Sequence, residues 1–265
     1  MKPLLIKNRK YELTSDTIEW EGVTLHRIKA LRPFKGVIAG ELGGYVEADR
    51  NLYHENDSWV ADEAKVFGSA NIGGAARVTG NAQVYGEATV KGTAGVHKFS
   101  EVSGTAIIAE NACVSGPAGT GVAGNSRVYG YARVQGGAKV HGDALVFGEA
   151  VVSDLSEVCG AARVGGKAHI GKTKVCGDAC VDGNFISGGG ELSFTPICVQ
   201  GSQVAVMYTG EVGKICCGGI TRPVAWWEGN IDSTLSSETT ILQKKEILLQ
   251  INLVTEWMRL YGLHE

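Results

Sequence analysis

Through the middle of this chain, small, apolar and polar residues recur in a six-residue frame, Ala-x-Val-x-Gly-x. The frame opens at Ala64-Lys65-Val66-Phe67-Gly68-Ser69 and returns at residues 76–81, 82–87, 138–143 and 144–149, among others. Side chains alternate along an extended strand, so within each hexad the Val and the Ala two positions before it share one face, while the residues flanking the Val take the other. A short period sustained over so many copies predicts an all-β solenoid with three hexads to a coil. The Gly, Asn and Asp residues that follow each short strand suit corners needing positive φ.

The valine-type positions advance by six from 66 to 114, meet a two-residue insertion within 118–125, and run again from 128 to 170. A one-residue deletion near Lys172-Thr173-Lys174 then leads to Val175 and Val181. Roughly twenty hexads make six to seven coils, a prism ~30 Å long at ~4.8 Å between neighbouring strands.

The flanks lack the frame. Residues 1–60 read as an N-terminal β cap, in which Thr17 to Ile28 alternates apolar and polar residues around Glu21-Gly22, the mark of a β-hairpin. Gly43 and Gly44 are expected to turn the chain into the first coil, with Trp59 packing on it. The solenoid is expected over 61–190. Residues 191–265 read as a small C-terminal module of β strands plus a helix. Its strands are expected at 191–195, 204–208 and 212–216, and its helix runs from an N-cap at Ser236 to Tyr261, stopped by Gly262. The apolar stripe of that helix is wider than one face.

Composition narrows the function classes. The 38 glycines have no triplet period and only five prolines accompany them, which excludes collagen and a disordered tract. Net charge is −3, with basic and acidic residues balanced 9 to 9 over 1–60, 11 to 11 over 61–190 and 5 to 8 beyond. Nothing here has the basic excess that nucleic-acid binding requires. The apolar run at the N-terminus is too short for a signal peptide, and no stretch approaches the ~18 apolar residues of a membrane span. A cytoplasmic protein is therefore expected, and seven scattered cysteines point to reduced thiols.

Stacking three hexads to a coil brings distant residues together. Val140, Val158 and Val175 fall one above another, so His141, Cys159 and Cys176 form a ladder on an outer face. That ladder could bind a soft metal such as zinc, form a disulfide or supply an activated thiolate. On the other side of the same valines, Lys139, Glu157 and Lys174 alternate in sign, as cross-strand pairs do. Phe67 stacks with Tyr85, and Tyr129 with Phe147; these aromatic ladders are candidates for a subunit interface, a ligand contact or a surface covered by the chain's own terminal modules.

An aliphatic residue followed four positions later by a small one, as in Val66/Ala70, Val78/Ala82, Val84/Ala88 and Val158/Ala162, resembles the left-handed parallel β-helix of the hexapeptide-repeat proteins. The resemblance implies the left hand, which periodicity alone leaves open. Acyltransferases of that superfamily are typically trimers that hold acyl-CoA between prisms and use a histidine as general base. It thus implies His97 as the catalytic candidate, with His169 second. This chain departs from that pattern: it has no long protruding loop and no Asp or Glu in evident relation to His97. The segments Leu25–Leu31, Gly40–Val46, Asn51-Leu52 and Trp59-Val60 resemble the N-terminal signature of hexapeptide-repeat proteins of phages, prophages and enteric bacteria that are labelled transferases. The expectation is a non-catalytic binding protein, homotrimeric and phage-encoded, that acts on a host protein or sequesters a small metabolite without a cofactor. The alternative is a CoA-dependent acyltransferase using acetyl-CoA, with His97 as base.

Overall fold

The computed structural model describes residues 9–172, 174–177, 180–182, 186–187, 197–198, 205–208, 214–217 and 220–234, and nine helical residues between 245 and 260. Three parallel sheets run the length of a β-solenoid of about seven turns. Each sheet carries one inward aliphatic column. The first face stacks Val46, Val66, Val84, Val102, Val122, Val140, Val158 and Val175 in register. The second stacks Ile72 through Val181, and the third Val60 through Ile170 and Ile186. From Val46 and Val60 to Ile170, Val175 and Val181, these residues and the alanines two positions before them are buried in one continuous core. Removing apolar surface at ~25 cal/mol per Å² along every coil is what holds so thin a prism together.

The stack takes in Tyr45–Val46 and Trp59–Val60, which carry no hexad. The expected hairpin is present as β1 (Tyr11–Trp20) and β2 (Val23–Ala30), antiparallel about Glu21-Gly22. β2 then pairs antiparallel with β3 (Leu42–Val46), so the hairpin extends the first-face sheet at its N-terminal edge. Gly43 and Gly44 do not form a turn. Both lie within β3 because something must pass close to them: a Cβ on Gly43 would sit 2.5 Å from the Val60 carbonyl oxygen and 2.7 Å from the Trp59 ring, and one on Gly44 2.5 Å from the Ala64 carbonyl oxygen.

The two-residue insertion lies in the corner before Gly121–Val122, and the core accommodates it with hydroxyls. The inward column that reads Ala64, Ala82, Ala138 elsewhere carries Ser100, Thr120 and Ser156 at its irregular coils, all buried. Ser100 Oγ accepts from Gly116 N at 2.9 Å, Thr120 Oγ1 accepts from Gly137 N at 2.8 Å, and Ser156 Oγ donates to the Ile170 carbonyl at 3.1 Å. Each buried hydroxyl thus satisfies a backbone group that the regular repeat would not leave in need.

Lys10 is fully buried under the first coil, where its Nζ donates to the carbonyls of Asn56 and Ser58 at 2.8 and 2.7 Å and to Ser58 Oγ at 3.0 Å. Burial pulls its pKa from 10.5 down to about 7. The unfolded chain therefore binds a proton that the folded chain resists between those values, so this residue's contribution to stability is lowest at and below pH 7 and increases as pH rises. The thermal midpoint is expected to climb between pH 7 and about pH 9, and the climb should shrink in Lys10→Met. Parallel pH profiles for the two proteins would refute the assignment.

Beyond the solenoid, Ile197–Cys198, Ala205–Tyr208, Lys214–Cys217 and Ile220–Pro223 form an antiparallel sheet. The expected strand at 191–195 lies outside the described residues. A helix α1 (Val224–Thr234), which is not among the expected elements, follows directly and buries Val224 and Trp227. The nine described residues between 245 and 260 are helical, in keeping with the expected C-terminal helix. Ser236, Tyr261 and Gly262 lie outside the described residues. No described helix is long and apolar enough to cross a membrane.

Candidate functional site on the first face

The outward residues of the first face change character along the prism. Preceding the inward valines stand Lys65, Gln83, Glu101, Gly121, Lys139, Glu157 and Lys174; following them stand Phe67, Tyr85, Ser103, Ala123, His141, Cys159 and Cys176. The face therefore begins aromatic, becomes small in the middle and ends in imidazole and thiol.

At the aromatic end, Phe67 and Tyr85 stack with ring centroids 5.1 Å apart and planes 6° from parallel. Of the three readings of this ladder, cover by a terminal module is the one found here, and the pair is not a free ligand or subunit surface. The chain's own hairpin covers it: Phe67 is buried with Leu25 and Tyr45, and Ile18, Trp20, Val23 and Tyr85 pack around them. Trp20 Nε1 donates to Gln83 Oε1 at 3.1 Å and Lys65 Nζ sits 4.3 Å from the Trp20 ring centroid, which ties the hairpin to the face. The second ladder is different. Tyr129 and Phe147 stack at 5.6 Å on the second face and remain half-buried, with the Phe147 ring over Gly165 and the Arg163 guanidinium 6.0 Å from it.

Midway along the first face, Gly121 and Ala123 stand where neighbouring coils carry longer side chains. Their shortness leaves a groove of about 300 Å³. Its floor is Gly121–Ala123, one wall is Glu101 and Ser103, the other is Lys139 and His141, and the inserted corner at Gly119–Thr120 closes one side. The sequence signal for this groove is an absence, two short residues at outward positions, and pattern reading tuned to reactive side chains passes over it.

Next to the groove, the register places His141, Cys159 and Cys176 on successive coils as expected. The closest cluster, however, is His141, Glu157 and Cys159, whose ligand atoms all lie within 4.8 Å of one another. His141 Nε2 is 2.9 Å from Glu157 Oε1, and Lys174 Nζ donates to the same oxygen at 3.0 Å. Those hydrogen bonds, Lys174's first and His141's second, hold the Glu157 carboxyl below its ordinary range. Burial pushes the Cys159 thiol up to about 11. Cys159 is therefore a thiol at neutral pH rather than an activated thiolate, and Cys113, Cys159 and Cys176 form no disulfide. Glu157 joins the cluster because His141 reaches diagonally across one coil step, a contact that straight-column stacking does not predict.

His97 stands on the third face, after Val96. Its Nδ1 is 2.9 Å from Thr79 Oγ1, and its ring lies over Gly95, where a Cβ would come within 2.1 Å of Nε2. Burial, and then the nearby Lys98 charge, lower its pKa. His169 Nε2 is 3.0 Å from Ser153 Oγ, which also donates to Asp154 Oδ2 at 3.0 Å. Ser153 thus stands between this imidazole and the Asp154 carboxylate.

Compared with models of known protein families and with curated protein sequences, the chain matches none.

Proposed function

We propose that this β-solenoid is a non-catalytic binding protein that sequesters a small polar metabolite in the first-face groove. The observation that carries the reading is the break in the side-chain ladder at Gly121 and Ala123, flanked by Glu101 on one side and Lys139 and His141 on the other. A concave site with a few convergent polar and charged groups is the usual form of a small-molecule site. The hexad pattern and the N-terminal segments quoted above support membership of the left-handed hexapeptide-repeat class and a phage or prophage origin. A cytoplasmic homotrimer using the Tyr129–Phe147 strip as a subunit contact is part of the same proposal. The acyltransferase alternative draws less support, because His97 lies flat on the third face with a threonine as partner.

Native mass spectrometry of protein purified from cells, followed by identification of what is released on denaturation, tests the reading. A trimer carrying a small metabolite is expected. A bare monomer would overturn it, and retained acyl-CoA would favour the acyltransferase. Gly121→Gln, which copies the Gln83 position, should fill the groove and abolish retention of the metabolite. Replacing a strand glycine is worth about 0.5–1 kcal/mol, but a Cβ here would lie 3.1 Å from the Glu101 carbonyl oxygen, so the two effects oppose and little net change in stability is expected. Retention of the metabolite by a folded Gly121→Gln protein would place the site elsewhere.

A further inference from the structure

We propose that His141, Glu157 and Cys159 bind a zinc-class divalent metal ion on the first face, with a fourth coordination position open to solvent beside the groove. The three ligand atoms already lie within 4.8 Å of one another, the His141 and Glu157 pair at 2.9 Å. Bonds of about 2.0–2.3 Å in a tetrahedral site put ligand atoms about 3.3–3.6 Å apart, which falls between the 2.9 Å of the His141–Glu157 pair and the 4.8 Å bound on the cluster.

The backbone holds these residues in place before any ion arrives. Glu157 and Cys159 flank the inward Val158, and His141 follows Val140, which pairs with Val158 in the parallel sheet. Neither strand can slip without moving its valine out of the core. The donor set is one imidazole nitrogen, one carboxylate oxygen and one sulfur. That combination selects zinc or cobalt over magnesium or calcium, which take oxygen ligands. Once the metal displaces the thiol proton, thiolate and carboxylate balance the charge of a dication.

Two cationic groups face the site. Lys139 pairs in register with Glu157, and Lys174 donates to Glu157 Oε1. In the metal-free protein Lys174 supplies the counter-charge to this carboxylate, and its half-exposed side chain can swing aside when the ion binds. Cys176 lies one coil further and outside the close cluster, which leaves the fourth position to water or to a ligand reaching over from the groove past His141.

Titration of the reduced full-length protein with Co²⁺ alone tests the site. One Co²⁺ per chain is expected, with a thiolate-to-cobalt charge-transfer band in the near ultraviolet. Cys159→Ser should lose that band, and His141→Ala and Glu157→Gln should each weaken binding by about tenfold or more. Cys176→Ser should bind as the parent does. Lys174→Gln should bind about two- to fivefold tighter, because a competitor for the carboxylate is gone. Absence of the band in the parent protein, its survival in Cys159→Ser, or its loss in Cys176→Ser would overturn the assignment. Circular dichroism of each metal-free variant separates loss of ligand from loss of fold. The titration contains no metabolite, so its failure and the failure of the groove reading are distinguishable.

Discussion

Trp59→Ala is expected to destabilise the protein by about 3–5 kcal/mol, the range for truncating a large buried aromatic. The Trp59 side chain is 1% exposed and sits where β3, the first coil and the loop after β2 meet. Its ring packs edge-on to Phe34 at 5.4 Å and fills the space that the missing Cβ of Gly43 leaves open. Among the described residues its Nε1 is buried without a hydrogen-bond partner. Trp59→Phe therefore gives up no hydrogen bond and should cost about 1–2 kcal/mol, mostly for lost contact. Chemical denaturation of the three proteins checks the order. A Trp59→Ala protein within about 1 kcal/mol of the parent would mean that the ring does not sustain the first coil.

The second large effect is expected at a corner. Gly92 has φ of +74°, and a Cβ there would lie 2.7–2.8 Å from the backbone N, Cα and O of Glu110 on the next coil. Gly92→Ala should therefore cost both the left-handed backbone, about 1–2 kcal/mol, and the displacement of a stacked corner, about 1–3 kcal/mol more. Gly22, in the β1–β2 turn, provides the comparison: its φ is +81°, but nothing lies within 4 Å of a built Cβ. Gly22→Ala should show the first cost alone. Equal losses in denaturation midpoint for the two variants would show that stacking adds nothing at the corners.

Corners also show where pattern reading stops. Asp62 and Glu110 hold positive φ without being glycine, and each uses its carboxylate to accept a backbone N–H on the next coil, Gly80 at 2.8 Å and Gly130 at 2.9 Å. The valine columns, the insertion, the deletion and the β1–β2 hairpin were all legible, because each is a local period or a break in one. What escaped depends on long-range placement. The hairpin alternates recognisably and cover of the aromatic ladders by a terminal module is one reading of the sequence, but nothing in the alternation selects Phe67 and Tyr85 over Tyr129 and Phe147. Gly43 and Gly44 look like turn residues, while their role is to let Trp59 and the Ala64 carbonyl approach. Helix α1 carries Val224, Trp227 and Ile231 at helical spacing, but it is short, lacks an N-cap residue after Pro223 and contains Gly229, so its signal is easily passed over. At the candidate site, the stacking of His141 and Cys159 followed from counting hexads. Glu157 did not, because a diagonal reach depends on side-chain length rather than register.

The strict register of the first face makes this molecule a ruler. Four coil steps separate Val66, beneath the hairpin-covered aromatic pair, from Val140, beneath the groove wall. At ~4.8 Å per step, that fixes the two at ~19 Å. Excising or duplicating one whole coil would rejoin Val to Val and Ala to Ala at the seam, and move the His141 cluster toward or away from the hairpin by one rung without turning it to another face. Distance along this protein is thus a digital quantity, set by the number of coils and protected by the same columns that form its core.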